Sequence, residues 1–414
     1  MRRDPDTIDR RDFLRSGLGL AGLAVAGAGG LVRPAAASLS VWPERVRLRE
    51  LGIAIGILPT GEFNAITDVA GVSVGHATVI RGDGPLQAGE GPVRTGVTAI
   101  LPHDGDLAQE RLFAADFTLN GNGELTGVGV IRRTGLLATP IFFTNTSSVG
   151  AVYDAGLECM LEADPELFGR RPRPEPVVGE TWADFLNDTA GRHVGREQVA
   201  AAIADGAGGP VAEGCVGGGT GMRAYGFKAG IGTASRQAPG PGKGYVVGAI
   251  VQANHGRRDQ LVVDGVPVGR EIPDLLPQPG LLPAAADGTG GAGNSLLIAI
   301  ATDAPLLPVQ LRRLGKRAAI GMGRTGGISA HGSGDLFLAF STANRMREGD
   351  RAAVPLASDR HITGLHLAVV EAVEEAILNA LTMAYTMTGR DANTIHALPL
   401  DRLVAVMRAH GRLK

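Results

Sequence analysis

The chain has 414 residues, of which 40 are basic and 42 acidic, so it has no overall field to attract nucleic acid or an anionic membrane. An apolar fraction of 44% excludes a disordered chain, and the 62 glycines indicate tight packing with many turns. The length predicts roughly two domains, or one large one. Cys159 and Cys215 could pair or stay as buried thiols, and their spacing does not resemble a zinc ligand set.

The first 37 residues have the pattern of a bacterial export signal. The pair Arg10-Arg11 precedes an apolar run at 17–32 and a small-residue cleavage site at 35–37. The run is too short and too rich in glycine for a comfortable membrane span. We therefore expect twin-arginine export, a mature protein that begins near Ser38, and a periplasmic or secreted location without membrane attachment. An uncleaved anchor is the alternative.

The remaining chain mixes apolar runs of strand length with amphipathic segments of helical period. Loops rich in Pro and Gly are predicted at 163–176, 238–244 and 272–293. Strands are predicted at 97–101, 137–143, 245–252, 296–301 and 336–340, and helices at 197–204, 309–319, 365–387 and 400–410. Thr363 is a candidate cap for the longest helix and Gly389 its stop. Because strands and helices do not alternate one for one, a layered α+β sandwich is favoured over a doubly wound sheet.

A glycine-rich run meets a buried strand at Asn294-Ser295. Such a junction could strain the peptide bond before Ser295, whose hydroxyl could attack the neighbouring carbonyl. Cleavage there would leave Ser295 as a new amino terminus carrying both an amine and a hydroxyl. The plain alternative is a loop that closes before a strand.

Two glycine patterns have the spacing of a dinucleotide-binding fingerprint, at 288–293 and 321–326. That mechanism needs a strand before the glycines and a helix after them, and neither pattern has this context. The segment HGSGD at 331–335 misses the nucleophile-elbow pattern at its first position, and a turn before a strand is its simplest interpretation.

Several motifs, taken in order, resemble those of the DmpA-like aminopeptidases, which include L-aminopeptidase D-Ala-esterase/amidases and β-peptidyl aminopeptidases. The motifs are ITDVAGVSVGH at 66–76, NGNGELTG at 120–127, TNTSSVG at 144–150, GGGTGM at 217–222, the 294–295 junction, and SGDLFLAFST at 333–342. The resemblance implies an α/β/β/α sandwich like that of ornithine acetyltransferases. It also implies a precursor that cuts itself into associated fragments, 38–294 and 295–414, within one hydrolase domain.

The resemblance also assigns roles to individual residues. Ser295 would form an acyl-enzyme with the amino-terminal residue of a peptide, amide or ester, and Asn254 would donate to the oxyanion. Ser333 and Asp335 match the pair that polarises the nucleophile, although some relatives carry the longer Glu in place of Asp335. A strand-end turn is the plain interpretation of Asn254.

Glu180 falls where the family places a carboxylate near the free amine of the substrate, with a surface Glu at a helix start as the alternative. At Trp182 the chain departs from relatives that have tyrosine, and indole cannot accept a hydrogen bond or titrate as a phenol does. The substrate range is therefore expected to differ.

The general base is left open between the freed amine of Ser295, which we favour, and His255 or His331. No metal or cofactor is expected, and the resemblance suggests a homo-oligomer. Two further hypotheses remain: an exported protein that binds a small molecule without chemistry, and an acyltransferase on the same fold. The substrate class, whether L, D or β residues, is left open.

Overall fold

Two β-sheets lie face to face, and each is covered on its outer face by helices. The computed structural model describes residues 45–169, 173–281, 294–347 and 354–413. The export signal predicted at 1–37 and the first glycine pattern lie outside these ranges. No helix within them combines the length and the apolar character of a membrane span.

The strands of the described ranges are β1 Ser73–Arg81, β2 Val93–Leu101, β3 Arg111–Gly121, β4 Leu136–Leu137, β5 Ile141–Asn145, β6 Val177–Thr181, β7 Arg223–Ala224, β8 Phe227–Lys228, β9 Ile231–Ala238, β10 Tyr245–Asn254, β11 Asn294–Thr302, β12 Ser333–Met346, β13 Met387–Thr388 and β14 Thr394–Ile395. The helices are α1 Val128–Thr134, α2 Val149–Ala163, α3 Arg196–Ala204, α4 Val268–Glu271, α5 Pro308–Arg324, α6 Ile362–Thr382 and α7 Leu400–Ala409.

The smaller sheet has the order β1-β2-β5-β6 and the larger one β4-β3-β12-β11-β10-β9. Strand β11 runs parallel to β12 and antiparallel to β10, so it has a hydrogen-bonded neighbour on each side. The two predicted fragments contribute to the same sheet, because β11 and β12 lie among strands that precede residue 294 in the chain.

Side chains of β11 alternate between two cores, as expected for a strand buried on both faces. Leu297, Ala299 and Ala301 pack between the sheets, while Leu296, Ile298 and Ile300 pack against the helical layer. That layer consists of α5, which contacts β3 and β12, and α6, which contacts β9 and β10. Helices α2 and α3 cover the smaller sheet through a third core. The α/β/β/α layering expected from the resemblance is therefore present.

Most predicted elements are confirmed with shifted ends, and two predictions are wrong. The strand predicted at 137–143 is two strands in different sheets, separated by Pro140, which has no N–H for a β-ladder. The helix predicted at 365–387 begins at Ile362 after His361 and ends at Thr382. Thr363 is therefore not its cap and Gly389 not its stop, because the residues beyond turn to pair β13 with β14.

The structure also shows the state of the two cysteines and the position of the second glycine pattern. Cys159 and Cys215 are both free thiols. The glycine pattern at 321–326 lies in the last turn of α5 and its cap, which confirms that it is not a nucleotide fingerprint. Within the described ranges, no cluster of His, Cys, Asp or Glu side chains is placed to hold a metal ion.

Candidate active site

The predicted cleavage residues begin the central strand of the larger sheet. Asn294 is the first residue of β11, and neither it nor Ser295 has a positive φ angle. The Ser295 hydroxyl is buried and donates to the carbonyl oxygen of Asn294 at 2.7 Å, while the Gly334 N–H points to Ser295 Oγ at 3.4 Å. The Ser295 hydroxyl therefore lies beside the Asn294 carbonyl, which the sequence analysis predicts as its target.

Asn254 ends β10 directly across from Ser295 in the antiparallel register. Its Oδ1 accepts the backbone N–H of Arg223 at 3.0 Å, and its Nδ2 donates to the backbone carbonyl of Trp182 at 3.0 Å. Two elements thus fix the orientation of the amide, with its nitrogen turned toward the β6 side. Asn254 is only 2% exposed, so the amide acts in surroundings where a hydrogen bond is strong.

Ser333 and Asp335 lie on β12, where Asn294 pairs with Ser333 and Leu296 with Asp335. The Ser333 hydroxyl donates to Asp335 Oδ1 at 2.7 Å. The shorter side chain of Asp335 therefore does reach its predicted partner. Burial raises the pKa of Asp335, and the hydrogen bonds that it accepts oppose this shift.

The second carboxylate oxygen of Asp335 has a partner that the sequence did not identify. Ser329 Oγ donates to Asp335 Oδ2 at 2.5 Å from the turn between α5 and β12. A cavity of about 140 Å³ lies beside this turn, lined by Asn294, Ser329, Ser333, His255, Met322 and Ile328 among others. No local pattern distinguishes Ser329 in the sequence, since Ser is common in turns.

Glu180 is buried near the end of β6, which corrects the alternative of a surface residue at a helix start. Its Oε1 accepts the backbone N–H of Glu124 at 3.2 Å, and Thr146 Oγ1 donates to its Oε2. Burial raises the pKa of Glu180, and these two hydrogen bonds lower it. No cation pairs with this carboxylate in the described part of the chain, so it can accept an ammonium group.

Glycine at 123 brings Glu180 close to the nucleophile strand. A Cβ built on Gly123 would lie 2.8 Å from Glu180 Oε1 and 3.3 Å from the Cα of Gly334, the register partner of Ser295. Asn120 and Asn122, from the same motif, donate to backbone carbonyls of residues 330–332. The motif at 120–127 therefore ties the amine-binding candidate to the turn before Ser333.

Trp182 follows β6 and is 38% exposed. Burial raises the pKa of the nearby Asp184, and its charged and polar neighbours, the Trp182 side chain among them, oppose this shift. The backbone carbonyl of Trp182 accepts from the Asn254 amide, and the partly exposed ring is available to bound ligands.

The two histidine candidates are not hydrogen-bonded to Ser295 in the described ranges. His255 Nε2 bonds to the hydroxyl of Tyr225 at 3.1 Å, and burial lowers the pKa of His255 to about 3. His331 lies in the turn before β12, where its backbone carbonyl accepts from Asn120. Burial therefore favours the neutral form of His255.

The predicted residues surround the start of β11 but do not share one face. Strand alternation places Ser295 with Leu297 toward the space between the sheets, and Asn254 with Ile250 on the same side. Asp335 alternates with Leu336 and so lies on the helical side with Phe337. The backbone nitrogen of Ser295 lies in the strand plane between the two groups.

Comparison with known proteins agrees with this arrangement. The signature of "Peptidase family S58" matches residues 64–395. The β-peptidyl aminopeptidase BapA of Sphingosinicella microcystinivorans is 46% identical over 377 residues, which cover 89% of this chain and 94% of the relative.

Two solved structures are similar throughout. The L-aminopeptidase D-Ala-esterase/amidase from Ochrobactrum anthropi, described as a prototype of serine aminopeptidases and a variant of the Ntn hydrolase fold, superposes with a TM-score of 0.81 at 41% identity, over 89% of this chain and 99% of that one. The PH0078 protein from Pyrococcus horikoshii OT3 gives a TM-score of 0.82 at 44% identity, over 89% and 100%. The chain therefore belongs to peptidase family S58, with the α+β, Ntn-hydrolase-like fold and the aminopeptidase activity of that family.

Proposed function

We propose that the protein is an exported serine aminopeptidase that activates itself by cutting the Asn294-Ser295 bond. The observation that carries this proposal is the hydrogen bond from Ser295 Oγ to the Asn294 carbonyl oxygen, at the buried start of β11. Asn254 and the Ser333–Asp335 pair border the same backbone from neighbouring strands.

In the maturation step, Ser295 Oγ attacks the carbonyl carbon of Asn294, and its proton passes to the departing nitrogen. The C–N bond breaks and an ester forms, which water then hydrolyses to the Asn294 carboxylate and the free Ser295 hydroxyl. Asn254 lies across the ladder from Ser295 and would donate to the oxyanion of the tetrahedral intermediate. The products are the associated fragments 38–294 and 295–414.

In turnover, the new α-amine of Ser295 serves as the general base, since such amines titrate near pH 7.7 to 8.0 when unperturbed. It takes the hydroxyl proton as Ser295 Oγ attacks the scissile carbonyl of the substrate. The amine leaving group departs with a proton, and water releases the amino-terminal residue from the acyl-enzyme. The hydroxyl of Ser333 donates to Asp335, so its oxygen is left as an acceptor for the ammonium form of this amine.

Glu180 gives the reason for an aminopeptidase specificity. A buried carboxylate that accepts only neutral donors is stabilised when a substrate ammonium binds to it. An N-acetylated substrate offers no cation and should not be hydrolysed. Because the Sphingosinicella relative is a β-peptidyl aminopeptidase, amides of β-amino acids are the first substrates to test.

Purified protein and its Ser295→Ala variant, compared on a denaturing gel, test the cleavage. Two bands are expected for the wild type, with the smaller fragment beginning Ser-Leu-Leu-Ile, and one band for the variant. Ser341→Ala, which alters a buried serine of β12 that bonds to the Ala304 carbonyl, is the matched control and should still be cut. A single band for wild-type protein would contradict self-processing and favour a binding protein.

Turnover is tested with p-nitroanilides of β-alanine, L-alanine and D-alanine, each with and without an N-acetyl group. Hydrolysis of the free amines alone supports the assignment of Glu180. Adding an amine acceptor separates hydrolysis from acyl transfer, because a transferase would form a new amide at the expense of free amino acid. Export is tested by locating the mature protein in cell fractions with and without residues 1–37.

A further inference from the structure

Ser329 has a backbone conformation that its side chain does not favour. It lies in the turn between α5 and β12 with a φ angle of +54°. The left-handed region is uncommon for residues other than glycine, and such outliers persist where the surrounding structure imposes them. Two glycines stand nearby at 326 and 327, so the turn does not lack residues that accept this conformation.

The conformation directs the Ser329 hydroxyl at Asp335. Ser329 Oγ lies 2.5 Å from Asp335 Oδ2, while Ser333 Oγ lies 2.7 Å from Oδ1. Asp335 is fully buried, so two hydroxyl donors replace part of the water that an ionised carboxylate needs. In the strand register Ser333 pairs with Asn294 and Asp335 with Leu296, the two residues that flank Ser295.

We propose that Ser329 is a positioning residue of the active site, which holds Asp335 ionised and oriented so that Asp335 can align Ser333 and the Ser295-Leu296 peptide. This inference rests on the proposed function. It also accounts for Asp in place of the longer Glu at position 335, because Ser329 supplies the contact at Oδ2.

The charge state of the neighbours is consistent with this role. Burial raises the pKa of Tyr225, and the nearby Asp335 carboxylate adds to this shift. His255, the partner of Tyr225, has a pKa lowered to about 3. Both are neutral near pH 7, so the ionisation of Asp335 depends on its hydrogen-bond donors and on the amine of Ser295.

Ser329→Gly removes the hydroxyl and is fully compatible with a positive φ angle. A role limited to the turn predicts unchanged activity and an equal or higher melting temperature. The positioning role predicts a kcat/KM lower by about 10- to 100-fold, the usual effect of losing a hydrogen bond to a charged group. It also predicts that the acid limb of the pH profile moves to higher pH, because the carboxylate loses a donor.

Ser329→Asn is the rescue variant, since Asn tolerates the left-handed region and its amide can donate to Asp335. It should recover part of the activity and return the acid limb toward its wild-type position. Arg192→Gly, at an exposed residue with a φ angle of +46°, is the matched control and should change neither the activity nor the acid limb of the pH profile.

Wild-type activity within twofold in Ser329→Gly, with an unmoved pH profile, would overturn the inference. If the Gly variant melts at a lower temperature, Ser329→Ala and Ser329→Asn are compared under conditions where both are folded. Equal activity of these two variants overturns the inference, and higher activity of Ser329→Asn supports it. Wild-type protein that is neither cut nor active would instead contradict the proposed function.

Discussion

Gly123 separates the two halves of the candidate site, and the structure predicts what a methyl group would do there. A Cβ on residue 123 would lie 2.8 Å from Glu180 Oε1 and 3.3 Å from Gly334 Cα. Non-bonded atoms attract at roughly 3.5 to 4.0 Å, so the carboxylate has to move. Because Thr146 and Glu124 both hold Glu180, any such movement breaks a hydrogen bond.

Overpacking of this kind costs about 1–3 kcal/mol, which corresponds to roughly a 5- to 150-fold change in an equilibrium constant. We expect Gly123→Ala to raise KM for aminoacyl p-nitroanilides within that range, with a smaller effect on kcat. Self-cleavage should proceed normally, because Glu180 has no part in it. In the double variant with Glu180→Gln, the Ala substitution should add little, since both changes act on one interaction.

The assay is steady-state kinetics on processed enzyme, together with the rate of precursor cleavage on a gel. Gly129→Ala is the control, because a Cβ there meets nothing within 4 Å and Ala suits a helix better than Gly. An unchanged KM for Gly123→Ala would refute the reasoning. Cleavage slowed as much as hydrolysis would also refute it, since the strain would then have been relieved at Gly334.

Three further predictions concern the same site. Asn254→Ala should lower kcat by about 10²- to 10³-fold with little change in KM, and a loss below about tenfold in steady-state assays would contradict the oxyanion role. Glu180→Gln should lower kcat/KM by about 10- to 100-fold yet raise the melting temperature at pH 7. Burial raises the pKa of Glu180 above 4.5, so the wild type loses stability as pH rises from that value through its folded pKa. Thermal unfolding between pH 4 and 8 should show the advantage of the variant disappearing at the acid end. Trp182→Phe should keep self-cleavage, because the Asn254 amide donates to the backbone carbonyl of residue 182, which the substitution leaves in place. Larger first residues should gain relative to β-alanine, and an unchanged order of p-nitroanilide substrates would argue against a role for the ring.

The larger elements of the fold could be predicted because burial of one or both faces leaves a recognisable pattern of apolar residues in the sequence. The central parts of β11 and β12, at 296–301 and 336–340, were recognisable as apolar runs, and α5 from its amphipathic spacing. The pairing of strands was not recognisable, since β4 and β5 look continuous apart from Pro140. The true end of α6 was missed because β13 and β14, which pair with each other just after the helix, have two residues each, too few for a strand pattern.

The candidate site was also predicted only in part. Ser295, Asn254, Ser333, Asp335 and Glu180 were identified through motifs shared with a family, and the structure gathers them around one strand end. Ser329 was missed because its role depends on a backbone angle and a contact across a turn, neither of which leaves a composition signal. The motif at 120–127 was recognised without its purpose, which is to hold the turn that precedes Ser333.

The position of β11 between two ladders has a consequence for the chain end that cleavage would create. Free termini are ordinarily the parts of a protein that fray first. Here the amino terminus would arise within a strand already bonded to β10 and β12, so the ordering of the amine and hydroxyl is completed during folding of the precursor. Scission would then expose a reactive group without loosening it, and catalysis would begin from an end as immobile as the middle of a sheet.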